Sequence, residues 1–484
     1  MKHKFISGPG FGDAHFRRAI TAFQIRRSIE VMTSNAHSTV ILAAGKGTRM
    51  KSSLPKVLHE IAGRAMLGHV LENTRFGGDA RTVLVVGPDM DEVAAYARSL
   101  RQDLSVVVQL NQRGTGDAAR TALPEITHED GVVLVVFGDT PLVRTETLAD
   151  MADTCRKSGN IVILGFEAAD PTAYGRVVLE GGKVRRIVEH KDATEAERSI
   201  RLCFGGPMAV PAGHFGALLG SLTNDNAQRE YYLTDLVALG HGAGLDCICV
   251  TCPEADVQGV NSRADLAAAE ASLQRRMRQS AMAKGVTFLD PDTVYLSFDT
   301  KFGRDVTVGQ SVVFGPGCEI ADGVLIKAFS HLEGAKVSEG AEIGPFARIR
   351  PGSEIGRKAR IGNFVETKKA RIEDGAKINH LSYIGDARVG AGANIGAGTI
   401  TCNYDGYNKF FTDIGAGAFV GSNSSLVAPV RIGDGAYLGS GSVVTKDVSA
   451  DALAVARGRQ MEKPGWAKAF RTKNEDIKKQ SSGE

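Results

Sequence analysis

The chain has 484 residues, 58 Lys+Arg against 55 Asp+Glu for a formal net charge of +3, and 57 glycines where an average chain would hold roughly 34. That length exceeds what one hydrophobic core supports, so two domains and a connector are expected, and so small a charge leaves no electrostatic footprint for nucleic acid. Seven scattered cysteines form neither a disulfide framework nor a paired CxxC metal pattern, and no run of about 18 uncharged apolar residues exists to span a membrane. A cytoplasmic location follows as the expectation.

Residues 1–31 are basic and weakly patterned, without the continuous apolar core of a secretory signal; the expectation is an extension outside the fold, either a disordered tail or a start-site artefact upstream of Met32. The first element is the apolar run Val40, Ile41, Leu42 and Ala43, a short parallel strand covered on both faces. It runs into a loop where Gly45 and Gly47 bare the backbone while Lys46 and Arg49 add charge, a combination suited to an anionic ligand. Further apolar runs follow at helix-length spacing: "TVLVVG", "LSVVVQL", "GVVLVVFGD", "NIVILGF" and "LDCICV". The pattern predicts an α/β doubly wound, Rossmann-like domain over residues 32–262 with a mostly parallel sheet, whose ligands bind beyond the carboxyl ends of the strands. Both the Gly45–Arg49 loop and Asp139 fall there. The cluster Cys247, Cys249 and Cys252 alternates inside an apolar run and reads as a buried strand.

Residues 263–284 hold no Gly or Pro and are rich in Ala, Leu, Arg and Gln, which predicts one long linker helix. From there to residue 484 the period changes to six. Val306, Val312, Cys318 and Val324 open the series. Val337, Ile343, Ile349, Ile355 and Ile361 hold one phase, followed by Ile372, Ile378 and Ile384, by Val389 and Ile395, and by Ile414 through Val444. One aliphatic residue per six places one side chain on each flat face of a triangular coil, a hexapeptide-repeat parallel β-helix. The phase slips by one residue before Ile372 and before Val389, and breaks between Thr399 and Ile414. Insertions in such repeats become loops on a binding face, so "TITCNYDGYNKFFTDIG" is expected to carry function.

These residues carry a resemblance over residues 36–470. Through "LAAGKGTRM", "LPKVL", "QRGTGDAAR", "FGDTPL", "YGRVV", "IVEHKDA" and "NAQREYYLTD" the first half resembles the sugar-nucleotide pyrophosphorylases. With "GPFARIRPG", "IGNFVETKKA", "NHLSYIGDA" and "NIGAGTITCNYDG", the whole is similar to the bacterial bifunctional N-acetylglucosamine-1-phosphate uridyltransferases and glucosamine-1-phosphate acetyltransferases. The resemblance implies a left-handed β-helix that packs as a homotrimer. It also implies two reactions on small molecules: acetyl transfer from acetyl-CoA to glucosamine 1-phosphate, then uridylyl transfer from UTP with release of pyrophosphate.

Carried over residue by residue, the resemblance puts Arg49 on the leaving pyrophosphate and Lys56 on the phosphates of nucleotide and sugar, charges that polyphosphate chemistry requires. Asp139 and Asn261 would hold Mg²⁺, although an Asp after a strand, taken alone, reads as a helix cap. Leu42, Ala43, Ala44, Gly45, Gln109, Gln112, Gly114 and Thr115 would cradle uridine, and Gly175 and Glu189 would meet the sugar. In the second half His380 would be the base, since its ordinary pKa near 6.5 suits removal of a proton from an amine. Arg350 and Lys368 would clamp the sugar phosphate, Tyr383 and Asn394 would hold hydroxyls, and Glu366 would orient either the amine or His380. Ala397, Asn403, Tyr404, Ser422, Ser440 and Arg457 would bind acetyl-CoA, with the Trp466-bearing tail closing over it. One departure stands out: "LCFGGPMAV" puts Phe204 where the family has the Asn of a sugar-contacting turn, which removes an amide hydrogen bond of about 1–3 kcal/mol. Two other readings remain open: a nucleotidyltransferase for another hexose 1-phosphate with a regulatory β-helix, and a non-catalytic scaffold like the translation-factor exchange subunits.

Overall fold

The computed structural model describes residues 37–77, 81–126, 128 and 130–481. The expected extension, residues 1–31, lies outside the described residues. The chain divides into two compact units, residues 1–276 and 277–484. No helix among the described residues is long and apolar enough to cross a membrane.

The first unit is built on β1 (His37–Leu42), β2 (Arg81–Val86), β3 (Ser105–Val108), β4 (Val132–Phe137), β5 (Ile161–Glu167), the hairpin β6 (Arg176–Glu180) and β7 (Lys183–Val188), β8 (Leu202–Pro211) and β9 (Cys247–Thr251). The main path of the sheet is β9-β5-β8-β4-β1-β2-β3. Alternate residues of one strand enter different cores. Val40 and Leu42 join Val83, Val85, Val133 and Ile163 on one side, while Ile41 and Ala43 join Leu84, Val86, Leu134 and Val162 on the other. Burial on both faces is why these strands read as unbroken apolar runs.

The six runs recognised in the sequence are the parallel strands. Strand β8 was not among them: it lies antiparallel between β4 and β5, near the middle of the sheet. "LCFGGPMAV" is therefore not the turn that the sequence suggested. It is a strand whose register shifts between Phe204 and Met208. Gly205, Gly206 and Pro207 break its apolar pattern, and they fall at this irregularity.

A helix runs over Arg263–Ala283. Its first part is tied to the first unit, with the Arg263 guanidinium donating to Met50 O at 3.3 Å and Arg276 paired with Asp256 at 2.7 Å. Its last turns belong to the second unit, where Arg278 donates to Val294 O at 3.1 Å and pairs with Asp292 at 2.8 Å.

The second unit is a parallel coil of the hexapeptide type. Along one face Thr307, Leu325, Glu342, Arg360 and Lys377 pair in order. Every aliphatic residue of the six-residue series lies in one continuous core. The slips have a structural cause. Between Thr367 and Ile372, and again between Ile384 and Val389, the corner is turned by a single left-handed residue, Lys369 at φ 46° and Asp386 at φ 45°, inside the long strands Glu366–Ile372 and Tyr383–Val389, which join two faces into one sheet. Thr367, fully buried with its hydroxyl donating to Ser353 Oγ at 3.0 Å, fills the position where the aliphatic series skips a step. The outright break is a loop between the strands Ile400–Cys402 and Thr412–Ile414.

Candidate active sites

In the first unit a cavity of about 370 Å³ opens beyond the carboxyl ends of β1 and β4. Leu42, Ala43, Ala44, Gly45, Lys46, Lys56, Gln109, Gln112, Gly114, Thr115 and Asp139 line it, together with Val57, Ala118, Phe137 and Glu230, which sequence reasoning had not assigned to it. Gln109 is buried; its amide donates to Asp117 Oδ2 at 2.9 Å and to Gly114 O at 3.2 Å, which leaves its own oxygen as an acceptor. Gln112 donates to Ala44 O and so fastens the loop that follows β1. Gly114 has φ +109°, and a Cβ there would lie 2.6 Å from Tyr231 O. Arg49 is exposed on the turn Thr48–Met50, which Met50 anchors in the interior, and is not among the lining residues; neither are Gly175, Glu189 and Asn261.

Lys56 is the centre of this site. Its ammonium lies 2.5 Å from Asp139 Oδ2 and 3.0 Å from Asn261 Oδ1. Asp139 comes from the end of β4, and Asn261 from the segment before the long helix, where Asp265 accepts from the Asn261 and Ser262 N–H groups at 3.0 and 2.8 Å. Two hard oxygens thus converge on one cation, a donor set that fits Mg²⁺. Among the described residues no group of three or more His, Cys, Asp or Glu converges to hold a metal ion, so the donor set here is one carboxylate and one amide oxygen. Gly47, at φ +61°, makes room for the lysine: a Cβ there would stand 2.6 Å from Lys56 Cβ.

Gly175, Glu189 and Phe204 gather at one place. The Phe204 N–H donates to Gly175 O at 2.8 Å, and a Cβ on Gly175 would lie 3.6 Å from Glu189 Oε1. The Phe204 ring packs, partly buried, against the core that holds Val177, Ile187 and Leu233. Thr234 donates to Glu189 at 3.0 Å. Burial, reinforced by Asp235, Asp192 and Glu230, pushes the Glu189 carboxyl above its usual range.

In the second unit His380 ends the strand Lys377–His380 and is exposed. Its Nδ1 lies 2.7 Å from Oδ1 of Asn363, the residue in register with it on the preceding coil. Glu366 does not contact His380 here; it accepts from Arg350 at 2.7 Å, so the expected clamp and the expected orienting carboxylate form an ion pair. Lys368 sits beside Lys409, which the long loop contributes. The Lys409 amine, and beyond it Arg350, push the Lys368 pKa below its usual value, with Asp386 opposing. Cations crowd together in this way where an anion is to be bound. Tyr383 pairs in register with Glu366, and Asn394 with Lys377.

A column rises from His380. Ladder register carries Ile378 to Ile395, Val420 and Leu438, so Ala397, Ser422 and Ser440 follow His380 on successive coils. Arg457 tops the column, its guanidinium donating to Ser440 O at 2.6 Å. Asn403 donates to Asp386 at 2.5 Å, and Tyr404 bridges Lys409 across the loop. Sequence reasoning missed Asn363 and Lys409. The signal for Asn363 was its offset of one coil from His380, and for Lys409 its place in the one long insertion.

A family model for MobA-like NTP transferase domains matches residues 39–229, and one for bacterial transferase hexapeptides (six repeats) matches residues 411–446. The chain is 75% identical to "Bifunctional protein GlmU" of Parvibaculum lavamentivorans over 453 residues, 94% of this chain and 100% of the relative. It is 54% identical to the protein of that name in Azorhizobium caulinodans over 440 residues, and 53% identical to that of Paramagnetospirillum magneticum over 442; both alignments cover 91% of this chain and 98% of the relative. The chain belongs to the bifunctional GlmU family, an enzyme with a nucleotidyltransferase half and a hexapeptide acyltransferase half.

Proposed function

We propose that the protein makes UDP-N-acetylglucosamine in two steps: acetyl transfer from acetyl-CoA to glucosamine 1-phosphate, then uridylyl transfer from UTP to N-acetylglucosamine 1-phosphate. The observation that carries this reading is the presence in one chain of two separately built sites. One is a phosphate site centred on Lys56; the other joins a histidine to a three-cation cluster.

In the acetyl step the amine nitrogen of the sugar attacks the thioester carbonyl carbon, and the carbon–sulfur bond breaks to release CoA. His380 takes the amine proton on Nε2. Arg350, Lys368 and Lys409 hold the phosphate, while Tyr383 and Asn394 hold hydroxyls. With coils about 4.8 Å apart, the three steps from His380 to Ser440 span roughly 14 Å. An extended pantetheine arm then runs up the column past the small side chains of Ala397, Ser422 and Ser440 toward Arg457, beside Asn403 and Tyr404.

In the uridylyl step a phosphate oxygen of the sugar attacks the α-phosphorus of UTP and pyrophosphate leaves. Leu42–Gly45, Gln109, Gln112, Gly114 and Thr115 hold the uridine, Gly175 and Glu189 the sugar. Lys56 neutralises the reacting phosphates, and Arg49, exposed on its turn, reaches the leaving group. Asp139 and Asn261 would hold Mg²⁺, which when bound neutralises phosphate charge.

A homotrimer is part of the proposal. Phe329, Phe346 and Phe364 are exposed and stacked at 4.9 and 5.2 Å, a contiguous apolar ridge of the kind a second copy covers. The co-substrates imply work in the cytoplasm. Phe204 favours the scaffold reading for the first half, because it offers the sugar no amide.

The test supplies acetyl-CoA, glucosamine 1-phosphate, UTP and Mg²⁺ separately and together, following free thiol and pyrophosphate. His380→Ala abolishes thiol release and leaves pyrophosphate release from N-acetylglucosamine 1-phosphate intact; Asp139→Ala does the reverse. Loss of both signals in either folded variant would sink the two-site reading.

A further inference from the structure

We infer that Asn363 is the positioning residue that selects the reactive tautomer of His380. This rests on the proposed reading of His380 as the base. An imidazole takes a proton only through a nitrogen that lacks one, and a neutral histidine carries its single proton on either nitrogen. An exposed histidine with no partner divides between the two forms, so part of the enzyme presents the wrong face at any moment.

The coil removes that ambiguity. Asn363 and His380 are in-register neighbours on adjacent parallel strands, so their side chains leave the backbone side by side. Oδ1 of Asn363 and Nδ1 of His380 are each two bonds beyond Cβ, and they meet at 2.7 Å. A carboxamide oxygen only accepts, so Nδ1 must carry the hydrogen. Nε2 is left with its lone pair, directed away from Asn363.

The asparagine is itself held. Its backbone carbonyl accepts the Leu381 N–H at 3.0 Å, which ties the two coils together immediately after the histidine. Asn363 is thus assigned a role exerted through His380. Glu366, the carboxylate that sequence reasoning offered for this task, is engaged by Arg350. Using an amide rather than a carboxylate fixes the tautomer without placing a negative charge beside the imidazole.

The experiment compares Asn363→Ala, the nearly isosteric Asn363→Asp and His380→Ala in the full chain. It measures kcat and KM for acetyl transfer, and the His380 tautomer by nitrogen NMR of histidine-labelled protein; thermal melts followed by acetyl transfer in the same preparations report folding of the β-helix, which lies in a different unit from the uridylyl site. The expected result for Asn363→Ala is a mixed tautomer, a kcat lower by about two- to fivefold in proportion to the Nδ1–H form lost, and KM for glucosamine 1-phosphate within about twofold. Asn363→Asp, which still accepts at Oδ, restores the Nδ1–H form and most of kcat. An unchanged tautomer and kcat in Asn363→Ala, or a change confined to KM, overturns the inference while the His380 reading stands. Acetyl transfer surviving in His380→Ala overturns both.

Discussion

The Lys56 ammonium stands 2.5 Å from Asp139 Oδ2, with Asn261 Oδ1 3.0 Å away on the same nitrogen, so one side-chain cation occupies the convergence of two oxygen donors. A lysine and a divalent metal would thus draw on the same oxygens. Lys56→Met should lower uridylyl kcat by about 10²–10³-fold, since a cation on developing phosphate charge is lost. It should also lower the Mg²⁺ concentration that half-saturates the nucleotide-free protein. Calorimetry with Mg²⁺ alone checks the second outcome; weaker Mg²⁺ binding would show that the two cations do not compete.

Glu189 supplies a sign-determined prediction. Its folded pKa is raised by burial and then by Asp235, Asp192 and Glu230. A carboxyl with a raised pKa favours the folded state below its unfolded value near 4.3, and that advantage disappears as pH rises through the folded pKa. Glu189→Gln should therefore melt higher than the parent protein at pH 7, with the difference shrinking toward pH 4, while the KM for N-acetylglucosamine 1-phosphate rises. Thermal melts across that pH range, read beside pyrophosphate release, decide it.

Lys409 joins Lys368 and Arg350 with Asp386 as the opposing charge. Lys409→Met should raise the KM for glucosamine 1-phosphate about tenfold, near 1.4 kcal/mol, and reduce the dependence of that KM on ionic strength. Uridylyl kinetics should not move. A salt titration of both activities separates this from general damage.

Ile343 is fully buried and stacks between Ile326 and Ile361 in the coil. Ile343→Ala should cost the β-helix ~2–5 kcal/mol, because a rigid ladder collapses poorly around a cavity. The half-inactivation temperature of acetyl transfer should fall while that of uridylyl transfer stays put. An equal shift in both would mean that the two units unfold together.

The legibility of the sequence varied with how far each signal reached along the chain. The six-residue series in the second unit named its own interior, from Val306 to Val444, because every coil repeats the same demand for one aliphatic residue per face. The parallel strands were plain for a similar reason: the central ones are buried on both faces and so are dominated by apolar residues, as in Val132–Phe137 and Ile161–Glu167. Strand β8 escaped because Gly205, Gly206 and Pro207 interrupt its pattern where the register shifts. The resemblance implies a turn at Phe204, whereas Phe204 is a strand residue whose N–H is held by Gly175 O.

Local chemistry alone thus determined the architecture: periodic burial is written into neighbouring residues, and a period can be counted without knowing the fold. Pairings were decided only by tertiary structure. Lys56 meets Asp139 and Asn261 across 83 and 205 residues, Glu366 belongs to Arg350 rather than His380, and Lys409 reaches Lys368 from an inserted loop. Such contacts depend on where strands and coils stack in space, and electrostatic and hydrogen-bonding forces act over a few ångströms, so separation along the chain carries no trace of them.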